Sequence, residues 1–289
     1  SKSPGHSVPQ DEFWDSFGGY SLNFISLSPL DVGISALLLI INALLSIALR
    51  LGLAKQMIIA ATRMVIQLLL VGLVLKALFD LASPLFTSVM ALIMILFSGR
   101  EVMARQSRQL AGWWAYGLGT TAMLIAGTVV TLFALTTQVR PEPWYEARVA
   151  LPIFGMILGN TMTGIALGLD RLLTSIGRER NAIESRLALG HTIKEAMSGV
   201  LRHAIRSGLI PIINSMSAIG LVSIPGMMTG QILAGIEPME AVKYQLLIMF
   251  LIAGGTTFGV LGAVLGCGWR LTDNRHRLRL DRLSETKQA

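Results

Sequence analysis

Seven apolar stretches, each about as long as a bilayer is thick, constrain this chain more than anything else in it. A helix needs about twenty apolar residues to cross a hydrocarbon core of about 30 Å. Candidates lie near 32–49, 56–77, 81–98, 112–136, 146–169, 207–223 and 242–267. Only 14% of the 289 residues are charged and 53% are hydrophobic, too few polar groups to coat a soluble domain of this length. The expected fold is all-α and polytopic, with about seven transmembrane helices and a cytoplasmic amphipathic hairpin. In this reading residues 1–31 lie outside the cell, 32–169 carry helices one to five, 170–206 form a cytoplasmic coupling segment, 207–267 carry helices six and seven, and 268–289 form a basic cytoplasmic tail.

The charges set the expected orientation, because Lys and Arg near span ends stay on the cytoplasmic side. Eighteen of them fall on one side of the proposed spans, in clusters after spans one, three and five and in the tail; five fall on the other, and Arg63 lies within a span. The N-terminus is therefore expected outside and the C-terminus inside, in the plasma membrane (for a bacterium, the inner membrane). The net charge of +7 is mostly this asymmetry, so no nucleic-acid partner is expected. The first thirty residues lack the basic start and apolar core of a signal peptide, and Phe13, Trp14, Tyr20 and Phe24 are expected at the outer interface. With Cys267 as its single cysteine, the chain forms no internal disulfide.

Between spans five and six lies an Arg-rich amphipathic segment. Ile183 and Leu187 are four apart, as are Ile193, Met197, Leu201 and Ile205, the stripe of two short helices separated by Gly190. Thr192 and Glu195 have capping-box spacing, which starts the second helix. By pattern alone this hairpin rests on anionic lipid or docks a cytoplasmic partner. The run Glu184-Ser-Arg-Leu-Ala-Leu-Gly190-His191 resembles the coupling segment of ATP-binding cassette permeases, although the Pro usual soon after the Gly is delayed to Pro211. That resemblance implies ATPase-coupling roles for Glu184, Arg186, Leu187, Gly190, His191 and Lys194.

Three further motifs occur in order: Arg63-Met-Val-Ile-Gln67-Leu-Leu-Leu-Val-Gly72, then Gly155-Met-Ile-Leu-Gly159-Asn160-Thr-Met162, then Gly220-Leu-Val-Ser-Ile-Pro225-Gly-Met227-Met228-Thr-Gly230 with Ala234-Gly-Ile-Glu-Pro238 and Lys243-Tyr-Gln245. Together they resemble the FetB family of iron-export permeases, which also includes plant aluminium-tolerance proteins. The resemblance implies a permease subunit, paired with a separate ATPase, that exports iron or another metal or metal complex.

The residues themselves bear on that implication. No Gly-x-x-x-x-Gly-Lys-Ser/Thr string is present, so ATP and Mg would be held by another polypeptide; no catalytic residue or cofactor is expected in this chain. Ion-driven transporters usually carry ionisable groups inside the bilayer, whereas Asp31, Asp80, Glu146 and Asp170 fall at span ends and all four His lie outside the spans. A tight iron site would favour carboxylate or imidazole ligands, so no metal ligands are assigned. The candidate cargo path is Arg63, Gln67, Asn160, Thr161, Met162, Thr163, Ser223, Met227 and Met228. Arg63 lies roughly 12 Å into its span, where snorkelling, bonding to carbonyls and lining the path all remain open. Gly155, Gly159, Gly164, Gly168, Gly255 and Gly259 are spaced for close helix packing. Around Ser223-Ile-Pro225-Gly226 the helix is expected to break, either as a re-entrant loop or as a plain turn.

The expected assembly is a homodimer of this chain in membrane lipid with two ATPase subunits. An ion-driven secondary transporter or channel and a non-transporting membrane scaffold for a cytoplasmic enzyme are the rival readings.

Overall fold

The computed structural model describes residues 28–81, 83–273 and 277–284. Phe13, Trp14, Tyr20 and Phe24, expected at the interface, and the last residues of the tail fall outside that range. The described residues form two compact units, one from those up to 72 with 226–241, the other from those in 73–225 and from 242 on.

The first unit opens with α1, Pro29–Ala48. Ser28 starts it: its hydroxyl accepts from the Asp31 amide at 3.3 Å and the Asp31 carboxylate accepts from the Ser28 amide at 2.8 Å, with Pro29 in the first turn. The chain then reverses through Arg50 and Gly52, both at positive φ (53° and 71°), and the Ser46 hydroxyl holds the Leu53 amide at 3.1 Å. Next comes α2, Ala54–Leu81, which begins in this unit and ends in the other.

In the second unit, α3 spans Pro84–Ala104 and α4 spans Trp114–Phe133, continued by a π-helical turn over Ala134–Val139. Then come α5, Ala147–Arg178, α6, Arg180–Ala188, and α7, Ile193–Ala218. A turn over 219–225 leads to the short α8, Gly226–Leu233, which belongs to the first unit, and finally to α9, Pro238–Arg270, which begins in the first unit and continues in the second from Val242. The helix break expected around Pro225 is there, as that turn followed by an eight-residue helix.

The centre of the second unit is α5. Phe154, Leu158, Ile165, Leu169, Leu172, Leu173 and Ile176 recur at helical spacing and form one buried stripe with Val200 and Ala204 of α7 and Val260, Val264 and Cys267 of α9. Glycine makes the approach possible. A Cβ on Gly208 would lie 2.7 Å from the Gly164 carbonyl oxygen, and a Cβ on Gly164 would lie 2.9 Å from that of Gly208. These positions mark the crossing of α5 and α7, where backbone touches backbone.

Six described helices are long and apolar enough to cross a membrane: 30–48, 54–76, 84–104, 114–139, 147–178 and 238–270. The expected sixth span, 207–223, is not among them: its residues fall in the C-terminal half of α7, which runs from Ile193 to Ala218, and in the turn that follows. Arg202, His203 and Arg206 interrupt the hydropathy of α7 while the helix continues through them and past Pro211, which removes one backbone bond, so the second hairpin helix and most of the expected sixth span are one helix. Residue patterns saw two segments because composition changes along it while the conformation does not.

Candidate coupling site and membrane lane

The hairpin is α6, the turn at Gly190 and the first half of α7. Gly190 ends α6 at φ +92°. Its amide donates to the Leu187 carbonyl at 3.0 Å and that of His191 to Arg186 at 3.1 Å, the paired bonds of a Schellman ending. A Cβ at 190 would touch nothing, so the glycine answers to backbone conformation rather than to crowding. Two residues on, the Thr192 hydroxyl accepts from the Glu195 amide at 3.4 Å, and the Glu195 carboxylate accepts from the Thr192 amide at 2.8 Å and its hydroxyl at 2.9 Å. These bonds, the backbone one foremost, hold the Glu195 carboxyl below its ordinary value.

Each residue expected to couple has a definite place. Arg180 donates from Nε to Glu184 at 2.8 Å, an exposed i,i+4 pair. From α6, Arg186 Nη1 reaches the Ala196 carbonyl on α7 at 3.4 Å, tying the two arms. Leu187 is half-buried against the core, and Lys194 is exposed. His191 stands 3.8 Å from the Glu195 carboxylate. At the apex Leu189 is 81% exposed, an apolar knob on a polar tip. The inner side is the reverse: Ile183 and Met197 are each 2% exposed and join the core that holds Leu172, Leu173 and Ile176 of α5.

Contacts remote in sequence brace the hairpin's base. Asp170 accepts from the Ser107 amide at 2.7 Å and its hydroxyl at 2.5 Å, clamping the 105–113 connection to α5. Arg108 lies across Gly177, where any Cβ would strike its guanidinium. After α9 the chain folds back: the Ala111 amide donates to the Arg282 carbonyl at 2.7 Å and the Ser284 amide to Gln109 at 2.8 Å, while Leu278, Leu280 and Leu283 pack on the core. Arg279 grips Asp281 through two 2.8 Å bonds, which bring the Asp281 carboxyl down to about 2. Sequence patterns gave no sign of these braces. Only the leucines at 278, 280 and 283 within a basic tail hint that it has something to cover.

The candidate path residues are divided between the two units. In the first unit Arg63 and Gln67 sit one turn apart on α2, both exposed, and Met227 and Met228 sit half-exposed on α8. In the second, Asn160 is exposed on α5 and bonds the Met156 carbonyl at 2.9 Å, and Thr163 bonds Gly159 at 3.1 Å. Met162 packs partly on the core, and Ser223 accepts from the Gly220 amide at 3.0 Å in the turn before α8. Thr161 faces the other way and is fully buried. Its methyl lies 2.5 Å from where a Gly259 Cβ would be, and its hydroxyl 3.5 Å from that of Gly255. The hydroxyls of Thr161, Thr256 and Thr131 are buried without a hydrogen-bond partner among the described residues, as is the Gln245 carbonyl oxygen. Gly168 faces Val264 and Gly155 faces Met94, whereas a Cβ on Gly159 meets nothing. No group of three His, Cys, Asp or Glu capable of holding a metal occurs among the described residues.

The family model described as Uncharacterised protein family (UPF0014) matches residues 29–271. A UPF0014 membrane protein of Synechocystis is 38% identical over 232 residues, 78% of this chain and 86% of that protein. The Escherichia coli protein named "Probable iron export permease protein FetB" is 30% identical over 264 residues, 91% of this chain and all of its own length. Arabidopsis thaliana "Protein ALUMINUM SENSITIVE 3" is 30% identical over 257 residues, 88% and 92% of the two chains. No solved structure matches.

Proposed function

Because the chain belongs to the UPF0014 family of membrane proteins, the family its motifs resemble, we propose that it is the transmembrane permease subunit of an ATP-binding cassette transporter. It works as a homodimer with two copies of a separate cytoplasmic ATPase that supplies ATP and Mg. Its cargo is iron or another metal or metal complex, and the direction is export; both come from the relative named as an iron-export permease. It resides in the plasma membrane with the hairpin in the cytosol.

One observation carries the reading: the rod running from hairpin tip to membrane. α7 is 26 residues, about 39 Å, and α5 is 32 residues, about 48 Å, against a hydrocarbon core of about 30 Å. α5 outruns the bilayer, whereas α7 divides its length between the hairpin and the stretch after Arg206, roughly 18 Å, that is left for the membrane; the hairpin closes the two protruding ends into one core. A displacement of the exposed tip at Leu189 and Glu184 passes through the turn at Gly190 and along α7 to the Gly164–Gly208 crossing. Mechanical work enters at the tip, and the lipid-buried helices turn it into a change in packing.

The cargo chemistry follows from the donors available. Away from their ends the described spans offer hydroxyls, amides, thioethers and the Arg63 guanidinium, a set that favours a weakly held or already chelated metal over a tightly ligated bare ion. The test is purification of the chain from its native membrane with any ATPase that accompanies it, followed by turnover measured with ferrous iron, other divalent metals and iron chelates. Expected is an ATPase that co-purifies and is stimulated by at least one metal species. A chain that isolates without an ATPase yet carries metal down an ion gradient would make it a secondary transporter. Partner binding without any flux would make it a scaffold.

A further inference from the structure

Away from the hairpin tip, a shallow open cleft of about 630 Å³ lies between the end of α3 and the start of α4, lined by Leu96, Phe97, Arg100, Met103, Gly112, Trp113 and Tyr116. Its walls are built rather than accidental: the Tyr116 hydroxyl donates to the Leu96 carbonyl at 3.0 Å, fastening one helix to the other. Arg100 is its one charged lining residue, exposed and without an ion pair or hydrogen bond among the described residues. Trp113 stands 85% exposed at the rim.

These features fit together by level as well as by chemistry. α3 and α4 both have the length and hydropathy of membrane spans, so their facing ends lie where hydrocarbon gives way to headgroups. Trp and Tyr concentrate at that depth, and an Arg there directs its cation into the headgroup layer. A cleft apolar along its length with a single unpaired cation at one end is the complement of an amphiphile with an anionic head. The geometry points to a binding site for one anionic phospholipid in the leaflet on the side of the 105–113 connection. Its phosphate sits on Arg100, its acyl chain runs along Leu96 and Phe97, and the Trp113 indole lies over the glycerol region. A lipid held there touches the connection that Asp170 clamps to α5, and so rests against the base of the hairpin.

The test uses the full chain in phosphatidylcholine vesicles carrying either phosphatidylglycerol or phosphatidylcholine with brominated acyl chains, which quench nearby indoles. The Trp113 signal is the difference between wild type and Trp113→Phe. Phosphatidylglycerol should quench it at about one fifth of the mole fraction that phosphatidylcholine requires, the preference one arginine confers near a membrane surface. Arg100→Gln should abolish the preference, Arg100→Lys should retain most of it because a phosphate accepts a point charge, and Arg202→Gln, an exposed arginine on α7, should leave it intact. Equal quenching by both lipids in wild type would overturn the proposal, as would a preference that survives Arg100→Gln or falls equally with Arg202→Gln. Loss of the preference on adding excess inorganic phosphate would reveal a phosphate site instead. Absence of quenching by either lipid would show that protein covers the cleft, and would overturn the proposal as well.

Discussion

Replacing Gly208 by Ala tests the crossing through which the hairpin is argued to act. The new methyl would fall 2.7 Å from the Gly164 carbonyl oxygen and 2.9 and 3.2 Å from the two Val260 methyls. Carbon and carbonyl oxygen rarely approach closer than about 3.3 Å, so α5 and α7 must separate by roughly half an ångström. Neither neighbour yields easily, since one is helix backbone and the other a fully buried β-branched side chain. Overpacking of this kind costs about 1–3 kcal/mol, offset in part by the up to ~1 kcal/mol that alanine gains over glycine in a helix. A net loss of about 1–2 kcal/mol lowers the thermal midpoint by roughly 2–8 °C for a chain of this size. The control is Gly159→Ala on the same α5, where the methyl meets open space; it should match or slightly exceed wild type. Thermal unfolding of the purified proteins in one detergent reads the difference. Gly164→Ala should behave like Gly208→Ala, and the double variant should lose less than the two losses combined, because one opening relieves both clashes. Equal midpoints for Gly208→Ala and Gly159→Ala would refute the tight crossing.

Further expectations concern the hairpin and its braces. Gly190→Pro removes the amide that bonds Leu187 and demands φ near −65° where the backbone holds +92°, and Glu184→Lys sets a cation beside Arg180 on the face proposed to dock the ATPase; both should uncouple ATP hydrolysis from transport while circular dichroism stays helical, and unchanged coupled transport would count against the proposed docking role. Asp170→Ala leaves the Ser107 amide and hydroxyl without their acceptor, at a cost of about 1–2 kcal/mol, so the 105–113 connection should become cleavable in limited proteolysis at protease levels that spare wild type. The depressed carboxyls of Glu195 and Asp281 contribute stability that is complete above their ordinary values of 4.5 and 3.8 and is lost as pH falls through their lower folded values. Hydrogen exchange at the start of α7 and in the 277–284 strap should therefore be flat from pH 8 to 6, after correction for intrinsic rate, and lose protection only in strong acid; loss of protection on the alkaline side would contradict that sign.

The helices were legible because lipid as solvent makes their signal one of composition, which needs no knowledge of partners. So was the cap at Thr192 and Glu195, whose bonds close over three residues. Three kinds of information were not. The first is which side of an apolar helix turns inward: Asn160 and Thr161 are neighbours in one motif, yet one is exposed and the other lies against Gly259, and where nearly every residue of α9 is apolar no periodicity marks the buried face. The second is long-range bonding. Ser107 meets Asp170 across 63 residues, and Ser284 meets Gln109 across 175. Nothing local distinguishes those serines from others in the chain. The merging of the hairpin's second arm with the expected sixth span is a third case, since arginines at a membrane surface lower hydropathy without ending a helix.

The central claim is that work done on the exposed hairpin moves cargo across the membrane. Metal flux into proteoliposomes holding the chain alone, the chain with its co-purified ATPase, and that complex with ATP tests it directly. The account predicts flux above the lipid background only in the third, and its loss there with Gly190→Pro. Full-rate flux through the chain alone, without nucleotide, would contradict it.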